Sequence, residues 1–103
     1  MIDASMIKNL QRELHTRVDQ VNEKLDEENV VGSAGGGVVK VTVSGNRVVK
    51  AVEIGAEAID PDDPEMLQDL IMAATNQALE NAKKLHEERM GAVTGGLKLP
   101  GLF

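Results

Sequence analysis

One stripe of aliphatic residues near the start of the chain constrains the fold more than any other feature. Its members recur every three or four positions between residues 4 and 28, and they are Ile7, Leu10, Leu14, Val18, Val21 and Leu25. This spacing is typical of an α-helix with one apolar face, which we call the α1 stripe. At 1.5 Å per residue the helix would be roughly 37 Å long, which is more than a small domain requires.

The following residues, 30 to 54, have the pattern of β-strands. A strand is expected to open at residues 30–32, and the glycines at 35–37 supply a turn. Val39, Val41 and Val43 then alternate with polar residues, which predicts a strand with one buried face.

A third strand is predicted after Ser44-Gly45-Asn46, where Gly and Asn both tolerate the positive φ of a tight turn. Val48, Val52 and Ile54 are expected on one face of it, interrupted by Lys50. The three segments together predict an antiparallel meander.

An acidic cluster at residues 60–65 indicates the start of a second long helix. Asp63 is the expected N-cap and Pro64 suits the first helical position, with Gly91 as the expected stop after Met90. The main apolar face of this helix comprises Leu67, Leu70, Ile71, Ala74, Ala78 and Leu85, and a second apolar line comprises Met72, Leu79 and Met90. The fold class is therefore α+β, a long helix, a three-stranded meander and a long helix.

Composition narrows the class of protein. The 103 residues suit one domain over 1–90, followed by a flexible Gly- and Pro-containing tail over 91–103. The chain has no cysteine, a net charge of −6 and no apolar run long enough to span a membrane. We expect a cytoplasmic protein with no membrane partner.

Two copies of the chain are expected to pair. A three-stranded sheet is too small to cover the apolar faces of two long helices, so a monomer would leave one helix face in water. A symmetric homodimer resolves this. The residues expected at the core or the dimer contact are Leu70, Ile71, Met72, Ala74, Ala78 and Leu79.

Three motifs that suggest enzyme chemistry fail on inspection. The glycines at 32–37 have phosphate-loop spacing, but Val38 and Val39 stand in place of Lys and Ser or Thr. Met90 replaces the second histidine of a zinc-protease helix beginning at His86, and the acidic run from Asp60 lacks the glycine and glutamate of a calcium loop. We expect neither an enzyme nor a bound metal or cofactor.

Charge is distributed unevenly along the two helices. If the helices lie antiparallel, the start of the first meets the end of the second, where basic residues collect. Acidic residues would collect at the opposite end, from Asp19 to Glu28 and from Asp60 to Asp69. The molecule is then polarised. The alternative is a solvated helix surface with local ion pairs, which the basic residues favour when they are taken alone.

The chain resembles the YbaB/EbfC family of bacterial nucleoid-associated proteins. The resemblance rests on the segments 35–43, 52–54, 63–71 and 90–97, and on Ala73, Ala74, Asn76 and Ala78. It implies a homodimer with protruding helices that binds double-stranded DNA and contributes to nucleoid organisation or gene regulation.

The DNA-binding candidates follow from that resemblance, by location and charge. They are Lys8, Arg12, Arg17, Lys83, Lys84 and Arg89. Contact would be with the duplex backbone, because the only aromatic residue is Phe103 and stacking on bases needs aromatic platforms. The alternative hypothesis is a protein-interaction module that recruits a partner through its acidic end or its C-terminal tail.

Overall fold

The fold has the predicted order of elements. The computed structural model describes residues 3–94, so residues 95–103 of the predicted tail lie outside it. Helix α1 spans Ala4–Glu27. The three strands are β1 (Asn29–Ala34), β2 (Val39–Ser44) and β3 (Val49–Ile54). A 3₁₀ turn at Ala56–Ala58 precedes helix α2, which spans Pro64–Thr94. The strands pair antiparallel in the order β1-β2-β3. The α+β class and the meander are therefore confirmed.

The core lies between α2 and the first two strands. Val39, Val41 and Val43 on β2 are completely buried, as are Ala74 and Ala78 on α2. Gly32 on β1 allows this packing, since a Cβ there would lie 2.2 Å from the carbonyl oxygen of Ala74. A row of alanines on α2 and a glycine on β1 thus bring helix and strand backbones into close approach.

Polar contacts fix the direction of β1 against α2. The Ser33 amide donates to Gln77 Oε1 at 2.6 Å, and Asn81 Nδ2 donates to the Val31 carbonyl at 3.0 Å. Later residues of β1 therefore lie beside earlier residues of α2. β1 begins near the C-terminal half of α2, and this determines where α1 ends.

The predicted N-cap of α2 is confirmed, but its predicted end is wrong. Asp63 Oδ1 accepts a hydrogen bond from the Met66 amide at 3.2 Å, as a capping carboxylate does. The helix continues through Gly91 to Thr94. Gly91 is tolerated within the helix at the ordinary entropic cost, because glycine stops a helix only when the backbone turns left-handed there.

The prediction for the face of β3 is also corrected. The register pairs Val41 with Val52 and Val43 with Val49, and a shift between Thr42 and Val43 leaves Lys50 without a Cα partner in β2. Lys50 is the extra residue of a β-bulge on β3, so it does not interrupt the apolar face as the sequence predicted. Val49 takes the place expected for Val48, which lies in the preceding turn.

The turn before β3 uses different residues from those predicted. Arg47 has the positive φ of 65°, whereas neither Gly45 nor Asn46 does. Gly45 is required for packing instead. A Cβ there would lie 2.6 Å from Leu25 Cδ2, and the Gly45 amide donates to the Leu25 carbonyl at 2.9 Å. Leu25 is the one α1 residue that is buried within the described part of the helix.

The two helices overlap only at their C-terminal ends, which differs from the expected layout. Val21 on α1 lies beside Ala92 and Val93 on α2, and Glu28 contacts Arg89. The directions are antiparallel, as predicted. Because only Glu28 separates α1 from β1, however, α1 must end where β1 begins, beside the last turns of α2. The acidic end of α1 is therefore far from the acidic start of α2.

Candidate nucleic-acid interface

The most prominent candidate surface is the part of α1 that extends past α2. Residues 4–20, here called the α1 arm, precede the overlap at Val21 and span about 25 Å at 1.5 Å per residue. Helix α2 contributes about 46 Å by the same rise. The longest extent of the molecule is 72 Å, against 24 and 16 Å in the other directions, which agrees with this end-to-end offset.

The α1 arm carries exposed cations. Lys8 and Arg12 are both exposed and stand one helical turn apart, away from the α1 stripe. Arg17 is exposed too, but its Nη2 lies 3.5 Å from Glu13 Oε1. The arm holds three cations against two carboxylates, Glu13 and Asp19. It is a slightly cationic segment of an acidic chain.

Arg89 is held in an ion pair between the helices. Its Nη2 lies 2.9 Å and its Nε 3.2 Å from the Glu28 carboxylate, and its Nη1 lies 3.5 Å from Glu88 Oε1. The hydrogen bonds to Glu28 raise the pKa of Arg89, and those from Arg89 lower the pKa of Glu28. This geometry gives Arg89 a structural partner, which sequence reasoning missed because the two residues are 61 positions apart.

The remaining candidates lie at a distance from the arm. Lys83 and Lys84 are exposed on α2, at the level where β1 begins. Counting helical rise through the overlap, Lys84 lies roughly 30 Å along the long axis from Lys8. The structure thus places Lys8 and Arg12 together and separates them from Lys83 and Lys84.

The opposite end of the molecule is strongly acidic. No Lys or Arg occurs between residues 51 and 82, and residues 53–69 include seven carboxylates. Two of them serve local structure, since Asp63 caps α2 and Asp60 accepts from the Asp62 amide at 2.9 Å. Lys40 is the register partner of Glu53 here, and the net negative charge repels a polyanion from this end.

The residues predicted for the core or the dimer contact divide into five that are buried or partly buried and one that is exposed. Ala74 and Ala78 are buried in the chain's own core, and Leu70, Ile71 and Leu79 are partly buried against it. Met72 is 59% exposed.

A further apolar surface was missed, formed by Val49, Val52 and Ile54 on β3 and here called the β3 patch. Through the register these residues share a face with β2's buried valines, yet they remain exposed because α2 covers β1 and β2. The sequence placed Val52 and Ile54 on one face, but their exposure depends on how far α2 reaches across the sheet.

Metal sites and membrane spans are two further classes of feature to consider in the described residues. Among residues 3–94 no group of three or more metal-ligating side chains comes together. Within the same range, neither helix combines the length and apolar character needed to cross a bilayer.

Comparison with known proteins agrees with the architecture. A protein called nucleoid-associated protein from Staphylococcus aureus strain Newman is 58% identical over 78 residues, which cover 76% of this chain and 74% of that one. The protein of the same name from strain Mu3 matches equally. The crystal structure of uncharacterized protein HP0035 from Helicobacter pylori superposes with a TM-score of 0.77 at 22% identity, covering 85% of this chain and 92% of that one, and so shares the fold. Residues 2–97 match the YbaB/EbfC DNA-binding family, and the chain belongs to that family.

Proposed function

We propose that this chain binds duplex DNA as a homodimer in the bacterial nucleoid, through the cations of two α1 arms. The observation that carries the proposal is the exposed pair Lys8 and Arg12 on a helix that extends about 25 Å past its neighbour. Membership of a DNA-binding family and relatives called nucleoid-associated proteins support it. The role requires binding alone and no covalent chemistry.

Contact with the DNA backbone is the mechanism that the residue types favour. Lys and Arg one turn apart on a helix present two cations to the phosphates of one strand, and each contact releases condensed counterions. Lys83, Lys84 and Arg17 are further candidates, and Arg89 is the weakest because Glu28 already neutralises it. The acidic far end disfavours an approach of DNA there.

The second copy is proposed to cover the β3 patch. Val52 and Ile54 are 47% and 37% exposed although they continue an apolar face whose valines on β2 are fully buried. An apolar half-sheet at the edge of a small domain is the kind of surface that oligomerisation buries. Pairing there would leave each α1 arm projecting, because residues 4–20 extend past the contacts that α1 makes with Gly45, with Asn46 and with α2.

A salt-titrated binding assay with matched charge variants tests the DNA contact. Lys8→Gln with Arg12→Gln removes two cations from the arm, and Lys24→Gln with Lys40→Gln removes two elsewhere. All four positions are exposed, so folding should be retained. On a short duplex, a dimer of the arm variant should lose about four phosphate contacts, and the log–log salt slope should fall by about 3 to 4.

The control variant should keep most of the slope and affinity of the unchanged protein. If both variants lose the same affinity, net charge rather than the arm governs binding, and the proposed surface is wrong. If the unchanged protein shows no salt-dependent binding to duplex DNA at all, the proposed function itself is wrong.

A further inference from the structure

The outer part of the α1 stripe has no cover in the described chain. Ile7 and Leu10 are 47% and 59% exposed, and Leu14 is only partly buried. All three residues lie within the α1 arm, which precedes the part of α1 that packs beside α2. An amphipathic helix with an open apolar face is marginal in water, because helical stability in proteins comes mostly from packing that face.

The C-terminal end of α2 lies beside this surface. Ala92 and Val93 lie next to Val21, and Thr94 is the last residue of α2. Because the helices are antiparallel, the direction of α2 at its end is toward the start of α1. The next residues, Gly95 and Gly96, are of the type at which helices commonly end.

The C-terminal segment, residues 95–103, has the chemistry to cover the stripe. Four of its nine residues are large and apolar, namely Leu97, Leu99, Leu102 and Phe103, and Lys98 is its only charged side chain. Such a composition is unusual for a segment that stays in water, since apolar surface is buried at a gain of roughly 25 cal/mol per Å².

The length of the segment matches the length of the exposed stripe. Residues 97–103 reach about 23 Å when extended at roughly 3.3 Å per residue. From Val18 to Ile7 along α1 the distance is about 16 Å at the helical rise. The segment is therefore long enough to place its last apolar residues beside Ile7 and Leu10 of the same chain.

We propose that residues 95–103 of each chain pack along the outer α1 stripe of the same chain, with Phe103 near Ile7 and Leu10. This contact would give the α1 arm a second layer over most of its length. It extends the proposed function, by explaining how a single projecting helix stays formed, but it does not depend on DNA binding.

Engineered cysteine pairs test the contact, because the natural chain has no cysteine. Leu10→Cys combined with Leu102→Cys reports proximity to the stripe. Asn9→Cys combined with Leu102→Cys is the matched control, since Asn9 is exposed at nearly the same height on a different face of α1. Mild oxidation of the full-length dimer is followed by mass and by non-reducing electrophoresis.

The stripe pair should form an intrachain disulfide at least tenfold faster than the control pair, at a rate independent of protein concentration. Equal rates would show that the segment does not prefer the stripe and would overturn the proposal. A product that is mainly a covalent dimer would also overturn it, because the segment would then cover the partner's helix.

The unmodified chain offers a second test, since Phe103 is its only Phe, Tyr or Trp. Its ring protons should show nuclear Overhauser contacts to methyl groups of Ile7 or Leu10. In a dimer of mixed labelled and unlabelled chains these contacts should be absent from spectra filtered for interchain transfer. Finding no intrachain contact to the stripe would overturn the proposal.

Discussion

The guanidinium of Arg89 donates two hydrogen bonds to the carboxylate of Glu28, from Nη2 to Oε1 at 2.9 Å and from Nε to Oε2 at 3.2 Å. This ion pair joins the residue that ends α1 to the last turns of α2. The hydrogen bonds from Arg89 lower the pKa of Glu28 below its ordinary 4.5, against a smaller opposing effect of desolvation. A lowered pKa in the folded state means that the pair stabilises the fold above about pH 4.5, and that this contribution is lost as the pH falls through the folded pKa.

The Glu28→Gln variant should therefore be less stable than the natural chain at pH 7, and the difference should shrink toward pH 3. The effect should be small, because both side chains are partly exposed. Urea unfolding at the two pH values measures it, with Glu27→Gln as the control for a neighbouring exposed carboxylate. An equal loss at both pH values would mean that the charge of Glu28 is irrelevant to stability.

Gly32→Ala should destabilise the fold by about 3 kcal/mol. The new methyl group would lie 2.2 Å from the Ala74 carbonyl oxygen and 2.3 Å from the Ala78 nitrogen, both backbone atoms that cannot rotate away. Gly36→Ala is the control, since nothing lies within 4 Å of its Cβ and only its positive φ opposes the change, at about 1 kcal/mol. Chemical denaturation compares the two, and a larger loss for Gly36→Ala would refute the importance of the close approach.

Gly91→Ala should stabilise the protein by about 0.5–1 kcal/mol, because Gly91 is an exposed position inside α2 with open space around its Cβ. Ala92→Gly, at the next exposed position, should destabilise it by a similar amount. Thermal unfolding with helix content followed by circular dichroism measures both. Destabilisation by Gly91→Ala would indicate that the helix stops there, as the sequence had suggested.

Val52→Lys should weaken self-association at least tenfold, because it places a charge in the β3 patch that a second copy is proposed to cover. Val31→Lys is the matched control, since Val31 lies in β1 at the opposite edge of the sheet and is 50% exposed, close to the 47% of Val52. Sedimentation over a range of concentrations measures both variants. Equal dissociation constants for the two would exclude the β3 patch as the contact.

Local pattern was enough to predict the elements themselves. The α1 stripe predicted a helix over 4–28, and Ala4–Glu27 is observed. Asp63 and Pro64 marked the start of α2 to the residue, because a cap acts within one turn. The alternating valines of β2 are all buried, since alternation records which face meets the core.

Relations between distant segments were not predictable in the same way. The offset of α1 against α2 depends on Gly45 admitting Leu25 and on Glu28 reaching Arg89, and neither contact leaves a periodic trace in the sequence. The place of Val49 in the β3 patch likewise depends on the bulge at Lys50, and the exposure of the patch depends on how far α2 reaches across the sheet. For the candidate site, the family resemblance together with location and charge selected the cations, whereas their grouping needed the geometry that places Lys8 and Arg12 apart from Lys83 and Lys84.

The attachment of α1 has a mechanical consequence. The helix is anchored by its last two turns, where Leu25 sits against Gly45, so the remainder behaves as a lever about that pivot. For a helix of about 36 Å, a rotation of roughly 10° at the pivot would sweep the far tip by about 6 Å. In a pair of such chains, the gap between the two tips would be adjusted by small changes at one leucine and one glycine.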